Sequence, residues 1–117
     1  MKITLKKIVE SKPALDILLL TKLPVKVSYR LAKLDIKLQA EMAVYESQRV
    51  SLVKKFGEQI DSKTDSWQVP ADRIQDYKIE FDKLQGEEIE IDFEKIKLED
   101  LGDISIEPKN LPEFIFE

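Results

Sequence analysis

Between Pro24 and Gly57 the chain carries neither proline nor glycine. Those are the two residues that most readily end a helix. The stretch Leu23–Phe56, LPVKVSYRLAKLDIKLQAEMAVYESQRVSLVKKF, reads as one long amphipathic helix. Pro24 suits a first helical position, where its missing N–H costs nothing. Gly57 is placed to follow the helix end, and Lys54 and Lys55 complement the dipole of the last turn. Leu31, Leu38, Tyr45 and Leu52 recur every seven residues. Leu34, Met42 and Phe56 widen that stripe as a 3.6-residue period requires. Glu41, Gln48 and Lys55 stand where a strict coiled coil wants its second apolar position, so a helix in a bundle is expected rather than a regular zipper.

Length then dictates shape. At about 1.5 Å per residue, a helix over 24–56 spans roughly 50 Å. A compact domain of this size has a radius of gyration of only about 13 Å. The helix must project, bend or pack against another copy, so an elongated molecule and a homo-oligomer are expected.

The 117 residues form a single domain, 1–117, with one modest core. Cysteine and histidine are both absent. That removes disulfides, thiolate chemistry, the commonest general base and the commonest transition-metal ligand. No apolar run is long enough to span a bilayer, and Ile17–Leu20 is too short for a secretory signal. A cytoplasmic protein without a membrane is expected. The net charge of −4 hides an asymmetry: residues 1–57 balance at +7 and residues 58–117 at −11. Either the halves fold together and partly neutralise each other, or the molecule presents charged ends to partners.

Met1–Lys6 alternates apolar and lysine-rich positions, which predicts a strand. Ser11 can cap a short helix with Pro13 in its first turn, and Leu18–Leu20 is expected in the core. After Gly57, the Ser-, Asp- and Thr-rich stretch to Pro70 reads as a solvated loop. Trp67 at its edge either caps the helix pair or anchors a partner. Pro70 opens a second helix carrying Ile74, Tyr77, Phe81 and Leu84 at 3-4-3 spacing, stopped by Gly86. Glu87–Phe93 changes period: Ile89, Ile91 and Phe93 alternate with Glu88, Glu90 and Asp92. Residues 1–6 are its natural cross-strand partner, lysine facing carboxylate. Leu98 and Leu101 suggest a turn, and Ile104–Ile106 a short strand. Leu111, Phe114 and Phe116 form a sticky tail that docks on its own core or on a neighbour.

No nucleophile–base set is present, and Gly57, Gly86 and Gly102 are too scattered for a phosphate loop. No catalytic residue, cofactor or metal is assigned; the carboxylates of Glu88, Glu90 and Asp92 on one strand face fall short of a hard-cation site. Arg30, Lys33 and Lys37 share a helix face that could meet phosphates. Asp35 interrupts it and no aromatic platform accompanies it, so direct nucleic-acid binding is not expected. The acidic half suggests the converse, a nucleic-acid mimic.

Leu23–Lys33, Tyr45–Arg49 running to Lys55–Glu58, Phe81–Leu84 leading into Glu88–Asp92, and the ending Ile104–Ile115 together resemble small proteins of tailed phages and prophages. That resemblance implies a phage origin, hence the host-cell cytoplasm, and brings no activity with it.

The expected fold is α+β: a long antiparallel helical hairpin (about 24–57 and 70–85) with a small sheet formed by N- and C-terminal strands. The expected function is non-catalytic protein–protein binding, directed at a host protein as an inhibitor or anti-defence factor. Self-association as a virion or assembly component is the alternative. The expected contact residues are Trp67, Leu111, Phe114, Phe116, Glu88, Glu90, Asp92, Arg30, Lys33 and Lys37.

Overall fold

The computed structural model covers all 117 residues. The elements are β1 (Lys2–Thr4), α1 (Leu5–Leu20), α2 (Val25–Phe56), β2 (Glu58–Asp61), β3 (Ser66–Gln68), α3 (Ile74–Gln85) and β4 (Glu88–Glu90), followed by 3-10 turns at Leu98–Leu101 and Pro108–Asn110. The architecture is α+β, with two small antiparallel sheets. The molecule measures 52 × 30 × 23 Å, with a radius of gyration of 17.7 Å. It is elongated because α2 runs through its long dimension.

α2 is clothed by two shorter helices laid one after the other. At 1.5 Å per residue α1 is about 24 Å long and α3 about 18 Å, together nearly the roughly 48 Å of α2. Both pack on α2. The part of α2 that the second helix leaves uncovered is thus met by α1, within the same chain. At the joint, β1 pairs antiparallel with β4, with Lys2 opposite Glu90, Ile3 opposite Ile89 and Thr4 opposite Glu88. Bonds from Leu5 N–H to the Glu87 carbonyl (2.9 Å) and from Ile91 N–H to the Met1 carbonyl (2.8 Å) extend this ladder. The lysine-on-carboxylate pairing expected of residues 1–6 is present at Lys2 and Glu90.

The strand is shorter than its alternation suggests because Thr4 ends it. The Thr4 hydroxyl accepts the Lys7 N–H at 3.2 Å and caps α1. Ser11 is therefore no cap, and Pro13 lies inside a 16-residue helix instead of opening a shorter one. An interior proline leaves the carbonyl four residues earlier without its donor and costs about 3 kcal/mol. Ile8, Leu15 and Leu18 are completely buried on either side of Pro13. Each contributes about 1.5–3 kcal/mol by burial, which outweighs the defect. Of the Leu18–Leu20 run only Leu18 enters the core; Leu20 is 90% exposed and Leu19 also faces outward.

Val27, Leu31, Leu34, Leu38 and Tyr45 are the buried face of α2, as the heptad recurrence requires. Pro24, expected as the first helical residue, instead precedes the helix as its cap, its carbonyl accepting the Ser28 N–H at 3.0 Å. α3 begins at Ile74, after a turn closed by Arg73 N–H on the Pro70 carbonyl (3.0 Å). It contributes no fully buried residue. Tyr77 stacks on Phe81 (5.7 Å between centroids) and meets Phe56 edge-on (6.5 Å).

The stretch after Gly57, expected as a loop, is a β-hairpin: β2 pairs antiparallel with β3. Asp61 organises its turn by accepting the Lys63 N–H at 2.9 Å, and this bond holds the Asp61 carboxyl below its usual range. Ile104–Ile106, expected as a strand, is irregular. Its place is taken by a single parallel bridge between Ile96 and Phe116. That bridge seats Ile96, Ile115 and Phe116 in the main core.

Gly57 has an ordinary φ of −99°, so its role is space. A Cβ there would sit 2.4 Å from the Val53 carbonyl oxygen and 3.1 Å from that of Gln68. Gly57→Ala should lower stability by about 1–3 kcal/mol, read from the urea midpoint at unchanged slope.

Candidate functional site

Arg30, Lys33 and Lys37 do share one side of α2, and all three cations have partners inside the chain. The Arg30 guanidinium donates to the Glu94 carbonyl and lies 5.4 Å from the Phe93 ring centroid. Lys37 Nζ donates to the Asp92 carbonyl at 3.3 Å. Lys33 lies over the Tyr29 ring, 5.4 Å from its centroid. A shallow groove of about 300 Å³ runs between these side chains and residues 92–94. Arg30 and Lys37 thus fasten the segment that follows β4 instead of standing free for phosphates.

Glu88 and Glu90 are exposed on β4, and Asp92 is exposed just beyond it. Glu90 accepts from the Met1 ammonium at 2.9 Å, and this contact holds its carboxyl below the usual Glu value. No three carboxylates converge closely enough to hold a metal ion. Trp67 packs beside the end of α2: its Nε1 donates to Asp65 Oδ1 at 2.9 Å, and Lys54 Nζ lies 5.8 Å from its ring. Phe114 and Phe116 are buried, and half-buried Leu111 packs on the same core. Of its two possible docks, the tail takes its own core. No helix is long and apolar enough to cross a membrane.

The surface least explained by internal contacts lies on α2, opposite its core stripe. Val25, Tyr29, Ala32, Ile36, Ala40, Ala43, Ser47 and Val50 are all exposed. Their 4-3-4-4-3-4-3 spacing follows the helical repeat and places them on one face. Val44 flanks them. Val25 is 83% exposed, Ile36 70% and Tyr29 64%. In a chain that is 36% charged, none of these eight positions is charged. Isolated exposed apolar residues are normal, but a contiguous apolar row signals an interaction surface. The row was readable in the sequence by the same spacing that reveals the core stripe. The charged residues interleaved with it belong to its two flanks, Lys26, Lys33 and Lys37 on one side and Asp35 and Glu46 on the other.

One ion pair joins α1 to α2 beneath this face. Lys12 Nζ lies 2.7 Å from Asp16 and 2.9 Å from Asp35, and Asp35 also accepts Gln39 Nε2 at 2.6 Å. Burial lowers the Lys12 pKa, but the two carboxylates outweigh it and leave it raised. Asp35, expected to interrupt a phosphate-binding face, is therefore part of the helix–helix contact.

No family model, curated protein or solved structure matches the chain.

Arg30→Ala should cost about 1 kcal/mol of stability through the lost carbonyl bond and ring contact, while Lys97→Ala, an exposed control, should cost nothing measurable. Urea denaturation of both variants checks this. For Glu90, the folded pKa lies below the ordinary 4.5. Its pairing therefore stabilises the fold above that pH and is lost as pH falls through the folded value. An NMR titration should find the Glu90 carboxyl midpoint below 4.5, and acetylating the Met1 amine should return it to the ordinary range.

Proposed function

We propose that the protein works by binding another protein through the outward face of α2, without catalysing a reaction. The observation that carries this reading is the uncharged row from Val25 to Val50, about 38 Å long at 1.5 Å per residue. Rows of this kind are recognised by a second amphipathic helix, whose own apolar positions interleave with them. The remaining charged surface keeps the free protein dispersed, and Lys26, Lys33 and Glu46 at the edges of the row offer polar rims. The frame behind the row is firm, because the opposite face of the same helix is clamped by α1 and the C-terminal segment.

A host-directed role, as expected from the sequence, would use this face against a host protein. A role in assembly would use it against a copy of the same chain.

A photo-crosslinking amino acid at Ile36 tests the surface, with the same group at exposed Glu99 as control. Crosslinks to protein should form from position 36 and not from position 99. A variant that forms none from position 36, in purified protein and in lysate alike, overturns the proposed binding surface.

A further inference from the structure

We infer that residues 94–117 are a strap over the first half of α2, which opens and closes as one unit on a hinge at residues 92–93 while the helices and both sheets stay folded. The inference does not depend on the binding face proposed above.

Three observations lead there. The first is where the backbone bonds go. None joins residues 94–117 to residues 1–93. Ile96 N–H donates to the Ile115 carbonyl (2.7 Å), Glu117 N–H to that of Ile96 (3.1 Å) and Leu98 N–H to that of Glu117 (3.3 Å). These bonds clasp one end of the segment to the other. The result is a closed loop that can leave the rest of the molecule without breaking a backbone bond. Contiguous units of this kind are what open below the cost of global unfolding. The base of the loop is held differently. Phe93 N–H turns back on the Ile91 carbonyl (3.1 Å), and Lys37 Nζ holds the Asp92 carbonyl (3.3 Å). That places the hinge.

The second observation is burial. Ile96, Leu101, Phe114, Ile115 and Phe116 are buried, whereas residues 102–113 between them contain no buried side chain. The grip on the core is thus confined to the clasp, and anchors that sit together are lost together. Exposing these five side chains makes opening costlier than fraying at the β2–β3 hairpin. It breaks no helix or ladder bond, so it is cheaper than unfolding the whole chain.

The third is the polar hold. Arg30 is the one side chain of residues 1–93 that bonds to the strap, through the Glu94 carbonyl. No ion pair joins the two parts. Yet the strap carries seven acidic side chains against three lysines, and residues 5–38 carry eight cations against three acids. Opposite net charges draw the strap onto the helices without fixing it there. An open groove of about 510 Å³ with charged walls runs beside Arg30, between it and Lys97, Asp100 and Glu117. The latch therefore stands at the solvent, and opening the strap releases the guanidinium.

Native-state hydrogen exchange of the purified full chain tests the strap. The amides of Ile96, Leu98 and Glu117 should share one protection factor within about threefold, at least about tenfold below those of Leu34 and Leu38 in α2. Arg30→Ala should speed the three strap amides about fivefold. Gly57→Ala, at the far end of α2, should leave the strap amides unchanged, because opening the strap does not involve that end. Strap amides as slow as those of α2, or speeded by Gly57→Ala, overturn the inference, since they would then exchange only through global unfolding. Exchange of the three amides at unrelated rates also overturns it, because the segment would then fray in pieces.

Discussion

The structure depends on one mismatch of lengths. α2 carries apolar residues along nearly 50 Å of one side, and no single element of the remaining chain is long enough to cover them. Two helices do so in succession, and their meeting point is a weakness in any such design. Backbone groups at the end of α3 and the start of α1 would otherwise face each other unpaired. The β1–β4 ladder closes that gap. Bonds from Met1–Ile91 to Leu5–Glu87 run through the joint, and Thr4 serves both as the last strand residue and as the cap of α1. A threonine suits both roles, being β-branched and able to accept a capping bond.

The two halves of α2 are held unequally. Its first half lies in a core shared by α1 and the C-terminal segment, where Leu31, Leu34, Ile96 and Ile115 are wholly or almost wholly buried. Its second half meets α3 through half-buried rings, with Tyr77 between Phe56 and Phe81. Local opening therefore costs least at the β-hairpin end, where few apolar groups are removed from water. The tail enters this balance directly: Phe114, Ile115 and Phe116 reinforce the half of the molecule that is already firm.

Long-period features were readable in the sequence. α2, the stripe of α3 and the charge-matched pairing of residues 1–6 with 87–93 each repeat often enough to stand above noise. Features decided by a single bond or by distant burial were not. Pro13 reads as a helix start until the core is known to include Ile8, Leu15 and Leu18 on both sides of it. The β2–β3 hairpin is hidden because its turn depends on Asp61 and on Asp65 at a positive φ of 52°, residues that look merely solvated in sequence. Leu19 and Leu20 read as core by composition, yet helix geometry turns them outward once Leu18 is committed inward. The candidate surface was missed for a different reason. A search for the core stops at the first apolar stripe, and α2 carries two.

The two stripes are not independent. A helix exposed to water on one side usually keeps charged residues there, and α2 has them, but they are drawn to the flanks. Arg30 and Lys37 reach sideways to the carbonyls of Glu94 and Asp92, and Asp35 reaches the other way to Lys12. These contacts tie the C-terminal segment and α1 to α2, so they belong to the core's construction. They also hold three charges away from the outer row. The polar contacts that fasten the inner face thus draw these three charges further from the outer row. A substitution that freed Arg30 or Lys37 would loosen residues 92–94 and at the same time return a cation to the edge of the row. Fold and surface are in this sense one arrangement, and the row of Val25, Tyr29 and Ile36 is kept clear by the packing beneath it.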